Sequence, residues 1–159
     1  MKRLLMTLCI AALPGISFAQ MGVQLDGLSV DPSQPIETKA DSLSIDRNTG
    51  STVFEGNVVV GQGDLRMTAN RIEIVTADQG GISKMVARGN VLFTTRTDAL
   101  EAGSAEYDLA NGVLLMRGDV LLTQGENAIL ADVATIFVRT GRARFDGNVK
   151  TLLQAGNGQ

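Results

Sequence analysis

The sequence predicts an all-β fold, a meander of four repeated β-hairpin units of about 30 residues each that folds into a jelly-roll-like sandwich. Three observations predict it. A short element recurs four times at near-constant spacing, turn residues punctuate the chain between copies, and no stretch after the first twenty residues has a helical 3.6-residue hydrophobic period.

The recurring element is a glycine, then Asn or Asp, then Val. It stands at Gly56-Asn57-Val58, Gly89-Asn90-Val91, Gly118-Asp119-Val120 and Gly147-Asn148-Val149, with glycine spacings of 33, 29 and 29 residues. A second element, centred on Ala40-Asp41, Ala69-Asn70, Ala102-Gly103 and Ala131-Asp132, repeats in register with it at spacings of 29, 33 and 29. Two elements repeating together at a period near 30 mark stacked supersecondary units. Between them lie Asp46-Arg47-Asn48-Thr49-Gly50, Asp78-Gln79-Gly80-Gly81, Ala110-Asn111-Gly112 and Arg139-Thr140-Gly141, which are hairpin signals flanked by apolar alternation.

Strand alternation assigns the faces, because successive side chains point to opposite sides. Phe54, Gly56, Val58 and Val60 share one face, as do Ala87, Gly89, Val91 and Phe93. Leu114, Met116, Gly118, Val120 and Leu122 repeat the pattern, followed by Ala143, Phe145, Gly147 and Val149. The repeated glycine is therefore expected on the apolar, inward face, where a missing side chain lets the strand bend. In the alanine element the inward phase slips by one residue, from Ala69 to Ile72, Ala40 to Leu43, Ala102 to Ala105 and Ala131 to Ala134. A slip at a fixed place predicts a bulge or corner in each long strand, at which the chain turns onto a second sheet. The pattern alone admits two readings of the inner face: a closed core, or an elongated apolar trough whose flexible Met67, Met85 and Met116 adapt to a ligand.

Composition narrows the function. Met1-Lys2-Arg3, the apolar run from Leu4 to Ile16 and Ser17-Phe18-Ala19 form a secretory signal peptide, with cleavage expected between Ala19 and Gln20. The leader carries Lys2, Arg3 and Cys9, so the mature chain has no cysteine and its formal charge moves from −3 to −5. An acidic chain without a basic patch is not expected to bind nucleic acid. The sequence contains no histidine, which removes the commonest general base and metal ligand. Asp41, Asp132, Glu55 and Asp146 are the carboxylates a glycosidase-like site would need, but alternation turns Glu55 and Asp146 outward. The expectation is a protein that is not an enzyme and uses no cofactor or metal. Lys84, Arg88, Arg96, Arg117, Arg139, Arg142, Arg144 and Lys150 are read first as surface cations, and second as partners for lipid phosphates. A structural β-repeat assembly module without lipid cargo is the rival to a carrier.

The segments Gln34-Pro35-Ile36-Glu37-Thr38, Ala40-Asp41-Ser42-Leu43-Ser44-Ile45-Asp46 and Phe54-Glu55-Gly56-Asn57-Val58-Val59-Val60-Gly61-Gln62-Gly63 give the chain a family likeness. Over roughly residues 34–150 it resembles the periplasmic lipopolysaccharide-transport protein A family (LptA/OstA-like). The same superfamily includes the inner-membrane protein C and the N-terminal domain of the outer-membrane protein D. The cleavage site and the end at Gln159 favour the protein A type. The resemblance implies an open β-jellyroll that carries lipopolysaccharide, with lipid A against the inner surface. It also implies head-to-tail stacking with itself and with protein C-type and protein D-type homologues.

The expected organisation is a signal peptide (1–19), a linker (20–33), the β-jellyroll domain (34–151) and a disordered tail (152–159). Candidate lipid-facing residues are Phe54, Val58, Met67, Ile72, Ile74, Met85, Val91, Phe93, Tyr107, Leu114, Met116, Val120, Ile136 and Phe145. Candidate partner edges are the two terminal strands, through Ile36, Thr38, Leu43 and Ile45 at one end and Phe145, Val149, Lys150 and Thr151 at the other.

Overall fold

The computed structural model describes residues 34–77 and 80–154. The expected leader, the linker and the last five residues lie outside the described residues. Among those described, every regular element is a strand. The strands are β1 (Ile36–Lys39), β2 (Ser42–Asp46), β3 (Ser51–Gln62), β4 (Leu65–Thr76), β5 (Ile82–Thr94), β6 (Asp98–Asp108), β7 (Val113–Gln124), β8 (Asn127–Phe137), β9 (Arg142–Asp146) and β10 (Lys150–Leu152). The last of these runs one residue past the expected domain end.

All ten strands form one antiparallel sheet in chain order. Consecutive long strands pair as a meander, so tight turns suffice and the register is local. The edges are the exception. β1 and β2 both pair with β3, and β9 and β10 both pair with β8, each short strand covering half of its long neighbour. Each edge breaks in two, at Ala40-Asp41, where the sequence places a phase slip, and at Gly147-Asn148-Val149, because the corner interrupts it.

That corner passes through every strand. In β3 and β4, Glu55 pairs with Arg71, and the next pair is Val58 with Ala69, so Gly56 and Asn57 oppose Asn70 alone. The same two-against-one bulge falls between Arg88 and Val91 and between Arg117 and Val120. Both bulged residues are left-handed: Gly56, Gly89, Gly118 and Gly147 have φ of 75–84°, and Asn57, Asn90, Asp119 and Asn148 have φ of 45–50°. Glycine enters this region without penalty, and Asn or Asp are the side chains that tolerate it best. This conformational demand explains the repeated Gly-Asn/Asp pair.

The corners fold the sheet into two limbs. Limb one carries β1, the second halves of β3, β5 and β7, the first halves of β4, β6 and β8, and β10; limb two carries the rest. Inner rows run straight across each limb. Thr38, Val60, Met67, Phe93, Leu100, Leu122, Ile129 and Thr151 form one row by direct pairing on limb one. Leu43, Phe54, Ile72, Ala87, Ala105, Met116, Ala134 and Phe145 form the matching row on limb two. The buried core lies between the limbs, and no buried polar or charged residue occurs among the described residues.

One expectation fails here. The repeated glycine is not part of the apolar surface; Gly118 and Gly147 are exposed and Gly56 and Gly89 half-buried. A side chain on Gly56 would collide with Asp41, one on Gly89 with Asn70 and one on Gly147 with Asp132. The neighbouring strand's Asx side chain occupies that space, so the glycine lies under a polar ridge along the outside of the bend.

Candidate functional site

The site is an apolar cavity of about 250 Å³ between the limbs at the N-terminal end of the sheet. On limb one its wall is Ile36 and Thr38 of β1, Val60 and Gln62 of β3, Leu65 and Met67 of β4, and Phe93 of β5. On limb two it is Ile72 and Ile74 of β4, Ile82, Met85 and Ala87 of β5, Ala105 and Tyr107 of β6, Leu114 of β7, and Val138 after β8. No charged side chain is among these. Alternation explains the selection: inner residues sit two positions apart along their strands, except Ile82 and Met85, which are separated by the β4–β5 irregularity, and the corner resets the phase so that both limbs turn apolar faces inward.

The cavity is open at the N-terminal edge. Leu43 and Ile45 occupy inner positions on β2, opposite Phe54 and Thr52, yet are 54% and 64% exposed because no further strand covers them. Ile36, on the wall itself, is 60% exposed. Large apolar side chains left in water at a sheet edge mark an unfilled contact.

Seven of the residues expected to face lipid line this cavity: Met67, Ile72, Ile74, Met85, Phe93, Tyr107 and Leu114. The other seven do not. Val58, Val91, Met116, Val120 and Ile136 are fully or almost fully buried, and Phe54 and Phe145 pack against the same core. Met116 and Val120, expected to face lipid, have no exposed surface in this closed arrangement and do not line the cavity. The physical reason is mutual packing: in the C-terminal half the limbs come together and their inner rows fill each other. Ile36 and Thr38, expected only as a partner edge, are also cavity wall. The remaining wall residues were not among the lipid-facing candidates. Val60, Ala87 and Ala105 stand on the inward phase read from the sequence, whereas Val138 lies beyond the end of its strand, where alternation carries no signal.

Charge is confined to the outside. Arg71 pairs with Glu55 and with Glu73, Lys84 with Glu106 at 2.7 Å, Arg96 with Asp64 at 2.6 Å, and Arg144 with Asp146 at 2.9 Å. The hydrogen bond and charge of Glu106 raise the Lys84 pKa, and those of Asp146 raise that of Arg144. Arg139 donates to the Leu109 and Ala110 carbonyls, tying one turn to the next, and Arg142 lies over the Phe137 ring at 5.4 Å. These cations thus serve the sheet's outer surface. Among the described residues no group of His, Cys, Asp and Glu is arranged to hold a metal ion. The arrangement can shelter hydrocarbon.

Residues 37–142 match a protein-family model described as LptA/(LptD N-terminal domain) LPS transport protein. The chain is 30% identical over 132 residues to the lipopolysaccharide export system protein LptA of Haemophilus influenzae, covering 78% of this chain and 77% of that protein. It is 28% identical over 117 residues to LptA of Escherichia coli K12, covering 69% of this chain and 63% of that protein. Among solved structures, it resembles LptH of Pseudomonas aeruginosa, the LptA-homologous periplasmic component of a lipopolysaccharide transport device. The TM-score is 0.70 at 16% identity, over 80% of this chain and 100% of that one, a likeness of fold.

Proposed function

This chain belongs to the family of LptA and LptD N-terminal domains, which are lipopolysaccharide transport proteins, and on that premise we propose that it is a periplasmic lipopolysaccharide carrier. Its signal peptide delivers it to the periplasm, its inner surface takes the acyl chains of lipid A, and its sheet edges join it to neighbours. The neighbours are further copies of itself, stacked head to tail, with a protein C-type homologue on the inner-membrane side and a protein D-type homologue on the outer-membrane side. The bridge so formed passes lipid from the inner-membrane complex to the outer-membrane translocon.

The observation that carries this reading is the charge-free cavity open at the sheet edge. Exposing one CH₂ to water costs about 0.8 kcal/mol, so a single chain of a dozen or so carbons loses on the order of 10 kcal/mol on leaving a membrane unshielded. An apolar wall offsets that loss without a chemical step. A trough that lies along a sheet also lengthens when another sheet is added at its edge.

Photo-crosslinking tests the reading. With a photoreactive residue at Met85 or Phe93, protein incubated with purified lipopolysaccharide should form lipid adducts. The same residue at Leu115 or Leu121, which alternate with buried residues and face outward, should not. Equal labelling of both sets, or none at either, overturns the carrier and leaves the assembly-module reading.

A further inference from the structure

The inner rows are apolar across the whole sheet, yet the trough is open over only part of it. On limb one the cavity wall ends at Phe93. The next residues of the same row, Leu100, Leu122 and Ile129, are 2%, 2% and 8% exposed and belong to the core with Met116 and Ile136 of limb two. A chain entering at the N-terminal edge therefore meets a wall of packed side chains halfway. The wall contains no polar group, so parting it and filling the gap with hydrocarbon exchanges one apolar contact for another.

The corner beneath this wall differs from the others. At the first corner Asp41 accepts a hydrogen bond from Asn57 Nδ2 at 2.8 Å and donates its own N–H to the Gly56 carbonyl at 2.9 Å. At the last, Asp132 accepts from Asn148 Nδ2 at 2.8 Å and donates to the Gly147 carbonyl at 2.9 Å. At the second, Asn70 fills the space over Gly89. The third corner has Gly103 where the others have Asp or Asn. A side chain built on Gly118 would meet only the Gly103 backbone, at 3.5 Å, and Asp119 has no side chain opposite to bond. Of the four described corners this is the one with no side chain over its glycine, and it joins β6 to β7, the strands whose limb-one halves carry Leu100 and Leu122.

We propose that the Gly103–Gly118 corner is a hinge on which the two limbs part, and that the packed C-terminal half of the trough is a gate opened by acyl chains arriving from the N-terminal cavity. This rests on the carrier reading and adds its regulation: the lipid-free protein admits a chain at one end and passes it on only after the gate yields.

The test uses protein in which leucine is replaced throughout by photo-leucine, which keeps leucine's size, incubated with purified lipopolysaccharide; adducts are mapped by mass spectrometry. Leu65 and Leu114 report the cavity, Leu100 and Leu122 the gate, and Leu115 and Leu121 the outer face. Wild type should label at cavity and gate leucines. Gly103→Asn restores an amide facing Asp119. Gly103 has no positive φ, and its added Cβ would lie 3.4 Å from the Arg117 carbonyl, so the substitution fits. It should keep labelling at Leu65 and reduce labelling at Leu100 and Leu122 about fivefold, the population shift of one hydrogen bond worth ~1 kcal/mol. Gly103→Ala adds the Cβ without the amide and should behave as wild type.

Labelling of Leu65 and Leu114 without Leu100 and Leu122 in wild type overturns the gate and leaves the carrier standing. Labelling of no inward leucine overturns both. Equal gate labelling in wild type and Gly103→Asn overturns the hinge. Hydrogen exchange on the wild type reads the hinge without a substitution. Amides of β6 and β7 around Leu100 and Leu122 should lose protection when lipopolysaccharide is added, while the Asp41 and Asp132 corners keep theirs; unchanged protection throughout overturns the proposal.

Discussion

At the scale of single residues, the corner explains a sequence motif by conformation and space together. Gly56 must be left-handed, and it must also leave room for Asp41, whose Cβ lies 2.8 Å from where its own would stand. Gly118 needs only the first, since its nearest neighbour is backbone at 3.5 Å. Gly118→Ala should thus cost about 1–2 kcal/mol for the left-handed backbone, and Gly56→Ala roughly 1–3 kcal/mol more for overpacking. Urea unfolding of the two variants measures the difference, and equal costs would refute the steric part. A second residue-scale prediction concerns acid. Asp108 accepts from the Asn111 N–H at 3.0 Å and from its Nδ2 at 2.7 Å, and these bonds hold its carboxyl below the usual value. A depressed folded-state pKa means stability present above the ordinary carboxylate range and lost as pH falls through it. Asp108→Asn should lower the neutral side of a thermal-stability profile toward its acid value, leaving the acid side nearly unchanged, and so flatten the acid limb. An acid limb as steep as wild type would show that the turn is indifferent to this charge. The glycine motif was visible in the sequence, but its orientation was not. Alternation counts residues, and the two-for-one bulge changes what the count means.

At the scale of elements, the meander order decides how a second copy can attach. β9 and β10 run from limb two to limb one, and β1 and β2 run back from limb one to limb two, so a following copy continues the antiparallel alternation. Repeat equivalence then fixes a register. Gly147-Asn148 corresponds to Gly56-Asn57, and Ala40-Asp41 corresponds to Ala69-Asn70, so Val149 should oppose Ala40 of the next copy as Val58 opposes Ala69. Extending this pairing places Thr151 opposite Thr38, and Phe145 opposite Leu43, of that copy. Facing residues on antiparallel strands have Cα atoms about 4.5–5.5 Å apart, within disulfide range. With the leader removed, no native cysteine competes. A mixture of Thr151→Cys and Thr38→Cys proteins should therefore form a crosslinked dimer on mild oxidation, whereas Lys150→Cys with Thr38→Cys should not. The opposite result would mean that the edges join in another register or not at all. Two terminal edges were readable from the sequence as places of attachment. That each is split at a corner, and so presents two short strands, depended on the register with β3 and β8.

At the scale of the whole molecule, the sequence carries information about where the protein acts as well as what it is. The basic start, the apolar run and Ser17-Phe18-Ala19 predict export and cleavage, so the intact mass of protein recovered from the periplasm should correspond to a chain beginning at Gln20. A product retaining Met1 would refute this. The sequence by itself determined the strands, the repeat, the inward rows and the family, because each depends on local periodicity or on a contiguous motif. It also determined which side chains are apolar enough to shelter lipid. Only the tertiary structure decided where along those rows space remains. Phe93 and Leu100 are paired neighbours in one row, similar in character, and one lines the cavity while the other is packed shut. The difference lies in how closely the facing limb approaches. That approach is set by the corners and the summed volumes of residues distant in sequence, which no periodicity along a single strand records.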